Sequence, residues 1–596
     1  MSRVFIIKAS IILGGIILTT RLMFIQLLDP NYQRAAEDNI IQEITEYPYR
    51  GLITDRNDSL LVFNTPVYDL TVIPNEVAIP DTTRFLELLD IALEEFETKM
   101  NRAKRYSRHL PSVLVTQISN EHLARIQGEL IDFQGFYIQP RTVREYIYPG
   151  MAHALGYIGE VSQRQLASDT TNYYRSGDYI GLSGVEREYE PFLRGERGVS
   201  YKLVDVQRVA KGSFRNGEFD TLPIPGEDVQ LTLDLELQRY AETLMAGKIG
   251  SVVAIEPATG EILAFVSSPG YNPSLLSGKK LGENYGALES DSMKPLFNRA
   301  LMAMYPPGSM FKTVQSLIAL QEGIIYPDQQ IYCDGSLIGD LASPGYYDVK
   351  KAIRFSSNNY FYIVFRRVML QNEHSSMFED SRIGLAKWRD YVTSFGLGES
   401  LGVDLPNERA GFIPDVDYYD RIYGTKRWKF SNIYSLSIGQ GELLVTPLQM
   451  ANLGALLANR GHYYTPHIMR RVGDESSLGF ERHEVAIDSI HFEEVLEGME
   501  MVVTSGSGRR AFVPGLQVSG KTSTVENPGY DHSGFMGFAP REDPKIAIAV
   551  YVENAGWGAR AAAGTAGLLI EKYLRGEVSR TYMEEYILRG EFHDPR

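Results

Sequence analysis

Three short motifs in the second half of the chain contain side chains that could carry out nucleophilic chemistry. They are Ser309-Met310-Phe311-Lys312, Ser356-Ser357-Asn358 and Lys521-Thr522-Ser523-Thr524. A serine hydroxyl is a poor nucleophile until a base takes its proton, and a lysine can be that base when burial or a second cation lowers its pKa. In this order, the motifs suggest an enzyme that forms an acyl-serine intermediate.

The elements predicted around the motifs would position them for this chemistry. Ser309 begins an amphipathic run after a Pro-Pro-Gly sequence, which predicts a helix start with Lys312 on the same helical face. The second motif directly precedes an aromatic run and could lie at the lip of a cleft. The third lies in a predicted strand, residues 517 to 525, whose alternation places Lys521 and Ser523 on one face.

Each motif alone has a plainer interpretation. The first could be a capping serine followed by a solvated lysine, the second a cluster of capping serines, and the third a polar edge strand. Their occurrence together, in one order and on compatible predicted elements, argues against coincidence.

Composition limits the other function classes. A chain of 596 residues is too long for one core, and the formal net charge of -16, without a basic stripe, argues against a nucleic-acid partner. Cys333 is the only cysteine, which excludes an intrachain disulfide and a thiolate metal cluster. Because residues 313 to 355 also contain no histidine, we predict no zinc site, no other metal and no cofactor.

An apolar run at the N-terminus, residues 5 to 28, is long enough to cross a hydrocarbon core of about 30 Å. Lys8 can extend to the membrane interface, and Arg21 either does the same or has a protein or lipid partner. Arg3 and Lys8 predict a cytoplasmic N-terminus. No small-residue cleavage site follows the run, which favours an uncleaved anchor.

Changes in hydrophobic pattern and turn residues along the chain predict an α+β fold in four regions. Residues 1 to 29 are predicted to be a cytoplasmic tip and membrane helix, residues 30 to 225 a mixed domain, residues 226 to 580 the catalytic domain, and residues 581 to 596 a tail. Strands at both ends of the catalytic domain predict a five-stranded antiparallel sheet flanked by helices. A short polar helix is predicted at residues 31 to 39.

The chain resembles the penicillin-binding proteins over nearly its whole length, and most closely the class B transpeptidases of the elongation type. The resemblance implies that residues 30 to 225 form an elongated mixed pedestal domain of the dimerisation type. Class A members differ by an N-terminal glycosyltransferase domain, for which the sequence before the pedestal leaves no room. Besides the three motifs, the resemblance rests on Arg50-Gly51-Leu52-Ile53-Thr54-Asp55-Arg56, Gly181-Leu182-Ser183-Gly184-Val185-Glu186, Ser437-Ile438-Gly439-Gln440-Gly441 and Asp531-His532-Ser533.

This resemblance implies a peptidoglycan D,D-transpeptidase that cross-links stem peptides. Ser309 would attack the carbonyl between the two terminal D-alanines, with Lys312 as the base. Ser356 would relay a proton to the leaving amine, Asn358 would hold the peptide amide, and Lys521 would keep the local potential positive. β-Lactams would acylate the same serine.

The resemblance also implies how the donor peptide is held. Thr522 and Thr524 would bind its terminal carboxylate, and the backbone N–H groups of Ser309 and Thr524 would form the oxyanion hole. The usual third residue of the lysine motif is glycine, whereas this chain has Ser523. We expect its side chain to point away from the strand face that bears the two threonines, so that the residue is tolerated with altered β-lactam affinity.

A second departure from the family pattern lies in the early Arg-Gly motif. Asn57-Asp58-Ser59 stand where a turn glycine is typical, and we expect only a local change in that loop.

Partners and location follow from the same resemblance. The membrane helix and pedestal would engage a SEDS-type glycosyltransferase such as RodA and MreC-like shape proteins. The protein would be a single-pass protein of the cytoplasmic (inner) membrane with its catalytic domain in the periplasm. Three alternatives remain open: a division-type class B transpeptidase, a penicillin-binding sensor or scaffold, and a D,D-carboxypeptidase or serine β-lactamase in which water deacylates the serine.

Overall fold

The computed structural model describes residues 3–24, 41–109, 111–175, 177–204, 210–278, 280–476 and 480–592. The chain divides into two compact units that are not consecutive blocks of sequence. The smaller unit comprises residues 1–51, 64–143 and 194–227, and the larger unit comprises residues 52–63, 144–193 and 228–596. The domain bounds expected after residues 29, 225 and 580 stay predictions.

The first helix, Arg3–Met23, coincides with much of the predicted membrane span. Its described apolar side chains, such as those of Ile11 and Leu18, are exposed. Residues 25 to 28 of the predicted span, and the helix predicted at residues 31 to 39, lie outside the described residues. Within the described ranges, no helix combines the length and apolarity needed to cross a membrane. The predicted membrane anchor stays a prediction.

The smaller unit contains a hydrophobic core in which several aromatic rings meet. The ring of Phe85 lies 4.5 to 5.7 Å, between centroids, from the rings of Phe96, Phe133 and Phe136. The strands with residues in this unit are Ile41–Glu46, Leu60–Val72, Ser112–Ile118, Phe136–Tyr146, Gly198–Val204 and Ala210–Ser213. Its helices after the first are Thr82–Leu89, Leu93–Tyr106 and Asn120–Leu130, with a 3-10 turn at Phe214–Gly217.

A five-stranded antiparallel sheet lies at the centre of the larger unit, which confirms the predicted sheet. In spatial order the strands run β2-β1-β5-β4-β3, so the first strand of the domain pairs with the last. The strands are β1 (Gly250–Ile255), β2 (Ile262–Ser268), β3 (Ser519–Val525), β4 (His532–Ala539) and β5 (Ile546–Val552).

Both faces of this sheet are buried, which explains the uninterrupted apolar sequence of β5. Ile548 and Val550 pack into one hydrophobic core, whereas Ala549 and Tyr551 pack into the other. The helix Pro447–Ala458 packs on the second core. A sheet covered by helices on both sides gives the site a rigid support.

Six helices of the larger unit surround the sheet and the site: α1 (Leu235–Met245), α2 (Lys312–Gln321), α3 (Val349–Phe355), α4 (Asn358–Met369), α5 (Phe492–Ser505) and α6 (Ala562–Arg575). The carboxylate of Asp234 accepts from the Leu237 N–H at 2.9 Å and caps α1, a position that aspartate favours. Helices α1 and α6 cover the core that contains Ile548. Further helices are Leu281–Ser290, Met377–Ser394, Val416–Tyr423, Pro447–Ala458 and Thr581–Arg589.

Shorter elements connect these parts of the larger unit. Its short helices are Ala152–Leu155, Gln163–Ser168, Gly184–Glu188, Glu190–Leu193, Arg299–Met302 and Phe430–Ile433, and its 3-10 turns are Pro273–Leu276, Gly308–Phe311, Tyr434–Ile438, Ser489–His491 and Arg509–Ala511. Its short strands are Ile53–Thr54, Ile158–Glu160, Tyr179–Gly181, Val229–Leu231, Ile331–Cys333, Gly345–Tyr347, His462–Tyr464, Met469–Val472, Glu475–Ser476 and Arg482–Glu484.

The early loop that lacks the typical glycine is built on aspartates. Asp58 adopts a left-handed conformation with a φ of 63°, which aspartate tolerates better than most residues. The buried Asp55 carboxylate accepts from the Asn57 N–H at 2.8 Å and from the Ser59 N–H at 2.7 Å. These two hydrogen bonds fix the turn without a glycine.

Candidate active site

Ser309 lies on a tight turn that leads directly into α2. Residues Gly308–Phe311 form a 3-10 turn, so the predicted helix start is in place but its first turn is tighter than an α-helix. The Gly308 N–H donates to the Gly439 carbonyl at 2.8 Å. Gly308 has a φ of 54°, and a Cβ there would lie 2.3 Å from Ser523 Oγ. Only glycine therefore fits this position of the nucleophile turn.

Lys312 is fully buried, and its amine donates to three oxygens. Its Nζ lies 2.7 Å from the Ser356 carbonyl, 3.1 Å from Ser356 Oγ and 2.6 Å from Asn358 Oδ1. Burial lowers the pKa of Lys312 from 10.5 to about 7, although the negative charge of Asp340 partly opposes this shift. A lysine with this pKa is roughly half deprotonated at neutral pH, and the neutral amine can accept a proton.

Lys521 supplies a second buried amine at the same place. Its Nζ lies 3.0 Å from Ser356 Oγ and 3.1 Å from the Thr522 carbonyl. Burial, and then the charge of Lys312, lower the pKa of Lys521 well below its ordinary value. Because both amines contact one hydroxyl oxygen, they lie within about 6 Å of each other, and two positive charges there repel strongly. The proximity of the two amines therefore disfavours a state in which both are protonated.

Ser356 occupies the junction between α3 and α4 rather than a loop at the rim. Its φ is 57°, a conformation that costs free energy for a residue other than glycine. The next residue, Ser357, is fully buried and caps α4, since its Oγ accepts from the Tyr360 N–H at 3.3 Å. The strained junction directs the Ser356 hydroxyl between the two amines.

Two hydrogen bonds orient the Asn358 side chain. Its Oδ1 accepts from Lys312 Nζ at 2.6 Å, and its Nδ2 donates to the Gly339 carbonyl at 2.6 Å. The amide thus connects the buried lysine with the loop of the hairpin formed by Ile331–Cys333 and Gly345–Tyr347. Its contact with a substrate amide stays a prediction.

Asp340, in the loop of that hairpin, is a residue of this site that the sequence reasoning missed. Its carboxylate accepts from the Ser357 hydroxyl at 2.7 Å, the Asn359 N–H at 2.9 Å and the Ala342 N–H at 3.0 Å. Burial acts to raise the pKa of Asp340, but these hydrogen bonds outweigh burial and hold the pKa below its usual range. The only sequence signal is an aspartate between two of the motifs, and no periodicity marks it.

The two threonines of β3 have different partners. Thr522 Oγ1 lies 2.6 Å from the hydroxyl oxygen of Ser507, which follows α5. Thr524 Oγ1 accepts from the Gly558 N–H at 3.0 Å. Hydroxyls held in this way can be shared with a ligand carboxylate. Their role in substrate binding stays a prediction.

Ser523 connects β3 to the nucleophile turn. The side chain is buried, and its Oγ donates to the Pro307 carbonyl at 2.7 Å. It lies on the strand face that also bears Lys521, as the alternation predicts. The residue that replaces the usual glycine therefore makes a hydrogen bond that glycine cannot make, two residues before Ser309.

The structure brings Lys312, Ser356, Asn358 and Lys521 into one hydrogen-bonded network. Ser309 lies on the adjoining turn, and within the described part of the chain the Lys312 amine bonds to Ser356 and Asn358 rather than to the Ser309 hydroxyl. A network of this kind can accept a proton from a nucleophile and pass it on.

The cysteine is close to the network without being part of it. Cys333 is buried, and burial raises the pKa of its thiol to about 11, so that the neutral thiol prevails. Over the ranges described above, no three His, Cys, Asp or Glu side chains are grouped so that they could hold a metal ion.

Comparisons with known proteins agree with this architecture. Two protein families match: the penicillin binding protein transpeptidase domain over residues 250–571 and the penicillin-binding protein dimerisation domain over residues 45–231. The peptidoglycan D,D-transpeptidase MrdA of Acinetobacter baumannii is 31% identical, over 94% of this chain and 86% of its own.

Solved structures give the same result. The penicillin-binding protein PBP2 of Helicobacter pylori, in a complex with MreC, has a TM-score of 0.74 at 27% identity and covers 90% of this chain and 100% of its own. A chain from a peptidoglycan synthase complex that coordinates polymerization and crosslinking has a TM-score of 0.70 at 26% identity, with 97% and 99% coverage.

Proposed function

The chain belongs to the penicillin-binding protein transpeptidase family, and we propose that it works as an elongation-type peptidoglycan D,D-transpeptidase through Ser309. The observation that carries the proposal is the position of two buried amines, those of Lys312 and Lys521, around the Ser356 hydroxyl beside the nucleophile turn. A buried lysine with a pKa of about 7 provides a base at the pH of the cell.

The first chemical step is acylation of the serine. The neutral Lys312 amine accepts the proton of Ser309 Oγ, and the oxygen attacks the carbonyl carbon between the two terminal D-alanines of the donor peptide. The ester bond forms, the peptide C–N bond breaks, and the leaving amine takes a proton through Ser356. D-alanine departs, and Lys312 is neutral again because the proton that it took from Ser309 has passed through Ser356 to the leaving amine.

Backbone and side-chain donors stabilise the charges on the substrate during this step. In our proposal the N–H groups of Ser309 and Thr524 donate to the oxyanion, and the hydroxyls of Thr522 and Thr524 bind the terminal carboxylate. The hydrogen bond from Ser523 to Pro307 supports this assignment, because it ties the turn that carries one donor to the strand that carries the other.

In the second step an acceptor amine replaces the leaving group. The amine attacks the ester carbon and gives up a proton to Lys312, and the serine oxygen leaves and is reprotonated by the same network. The product is a cross-linked pair of stem peptides. A β-lactam follows only the first step, because the nitrogen freed when its ring C–N bond breaks stays attached to the acyl group and does not depart to make room for an acceptor.

Product analysis tests the proposed reaction. We expect the purified full-length protein, given uncross-linked glycan strands with pentapeptide stems, to release D-alanine and to form cross-linked peptide dimers in comparable amounts, measured by chromatography after muramidase digestion. Release of D-alanine with tetrapeptide monomers alone would instead identify a D,D-carboxypeptidase. Covalent penicillin binding without either product would favour a sensor or scaffold.

We also propose a membrane location and two partners. Residues 5 to 28 would anchor the chain in the cytoplasmic membrane, with the N-terminus in the cytoplasm and the catalytic unit in the periplasm. The H. pylori relative is in a complex with MreC, and another similar chain belongs to a peptidoglycan synthase complex. By analogy, this chain would bind an MreC-like protein and a SEDS-type glycosyltransferase such as RodA.

Exchange of the N-terminal segment tests the glycosyltransferase contact. We expect replacement of residues 5 to 28 by an unrelated membrane span to reduce co-purification of the glycosyltransferase from detergent-solubilised membranes by about tenfold, since contacts within a membrane depend on side-chain packing. Penicillin labelling of the exchanged protein serves as the control for folding. Unchanged recovery of the partner would remove this segment from the interface.

A further inference from the structure

We propose that Asp340 is a positioning residue of this active site, which holds the Ser357–Asn359 turn in place and supplies the negative charge that faces Lys312. The inference rests on the proposed function, because it concerns what sets the position and the proton affinity of Lys312, the base in that function. Asp340 belongs to none of the three motifs, and its carboxylate does not contact the nucleophile.

The geometry around the carboxylate shows how it fixes the turn. One oxygen accepts both the Ser357 hydroxyl, at 2.7 Å, and the Asn359 N–H, at 2.9 Å. The other oxygen accepts the N–H of Ala342, at 3.0 Å, within its own loop. Hydrogen bonds to a carboxylate are stronger than those between neutral groups. The loop and the start of α4 are therefore clamped to each other by one ionised side chain.

The clamp reaches Lys312 through Asn358. This residue lies between the two groups that Asp340 binds, and the carbonyl that receives its Nδ2, at 2.6 Å, belongs to Gly339, the residue before Asp340. The other end of the same amide accepts from Lys312 Nζ at 2.6 Å. A displacement of the loop would therefore change the position of the oxygen that receives the lysine amine.

Asp340 differs in charge from the other groups around the Lys312 amine. From β3 the second amine, that of Lys521, approaches the same Ser356 hydroxyl, and burial and the charge of Lys312 lower the pKa of Lys521. From α4 the ring of Phe361 lies with its centroid 5.6 Å from Lys312 Nζ. From the hairpin the negative charge of Asp340 acts on it. Asp340 is thus the anion that acts on Lys312, and it moderates the decrease in the pKa of Lys312 that burial causes.

A capping role alone would not explain these contacts. Ser357 already caps α4 through its contact with the Tyr360 N–H. A second cap would add to the stability of the helix but would leave the proton affinity of Lys312 unchanged. The two roles therefore differ in what they predict for the pH dependence of acylation.

The test is the pH profile of Ser309 acylation by a fluorescent penicillin in the full-length protein, compared between wild type, Asp340→Asn and Asp340→Ala. Asparagine keeps an oxygen that the turn can bind but removes the negative charge. The pKa of Lys312 therefore falls further, and the Lys312 amine is neutral at lower pH. We expect the acidic limb to move down by about 0.5 to 1 pH unit. In Asp340→Ala we expect an additional decrease of about tenfold in the rate at the pH optimum.

Asp334→Asn is the matched control. Asp334 lies in the same hairpin loop, is exposed, and accepts from the Ser336 N–H at 2.9 Å and the Ser336 hydroxyl at 2.6 Å. The same change of charge there should leave the acidic limb in place. An unchanged limb in Asp340→Asn, with or without a lower melting temperature, would overturn the proposal. A wild-type protein without Ser309-dependent labelling would contradict the proposed function instead.

Discussion

Replacing Ser309 with alanine is expected to abolish covalent labelling by a fluorescent penicillin, with a decrease of at least about a thousandfold in the labelling rate. The reason is chemical, because alanine has no oxygen that could form the ester bond with the opened β-lactam. The measurement is the fluorescence of the protein band after denaturing electrophoresis over a range of labelling times. The lysine network should remain, since Ser309 makes none of the hydrogen bonds that hold Lys312.

Ser316→Ala is the matched control for this experiment. Ser316 is a buried serine on α2, and its hydroxyl donates only to the Lys312 carbonyl, at 2.9 Å. Its removal should leave the labelling rate within about threefold of wild type. Labelling that survives in well-folded Ser309→Ala protein would place the acylated residue elsewhere. Labelled wild-type protein that loses its label within minutes would point to a β-lactamase.

Replacing Lys312 with arginine is expected to reduce the acylation rate by about a thousandfold at neutral pH. Arginine keeps a positive charge and several donors, but it stays protonated at any physiological pH and cannot accept the serine proton. Removal of a general base costs between a hundredfold and ten thousandfold in rate. Lys350→Arg, at a partly exposed lysine paired with Glu494 and Glu497, is the matched control.

The pH dependence of the wild type provides a second readout for Lys312. The base must be neutral to act, and burial lowers its pKa to about 7. Acylation should therefore decrease about tenfold for each pH unit below that value and level off above it. A rate that is independent of pH between about 5 and 8 would mean that another group accepts the proton. The same conclusion would follow if Lys312→Arg kept the wild-type rate.

Much of the catalytic unit could be predicted because its signals are local. The strand of residues 546 to 552 is apolar throughout, and the structure buries both of its faces. The cap at Asp234 and the glycine before Ser309 also have a local cause that a sequence displays. The order of the three motifs then indicated the chemistry, and the family comparisons confirm it.

Other features depend on contacts between residues that are distant in sequence, and no local sequence pattern predicts them. Asp340 acquires its role only because the hairpin loop folds onto the start of α4. The lowered pKa values of Lys312 and Lys521 likewise follow from burial, and the two amines meet at a common partner, Ser356, rather than through sequence spacing. The interleaved units could not be foreseen either, because the chain passes between them several times.

The hydrogen bond between Ser523 and Pro307 has a mechanical consequence. A glycine at this position would leave the strand and the nucleophile turn without this hydrogen bond. Here the buried serine connects them, since Ser523 Oγ lies 2.7 Å from the Pro307 carbonyl oxygen. Because this hydrogen bond ties β3 to the turn that carries Ser309, a displacement of β3 would be transmitted to that turn.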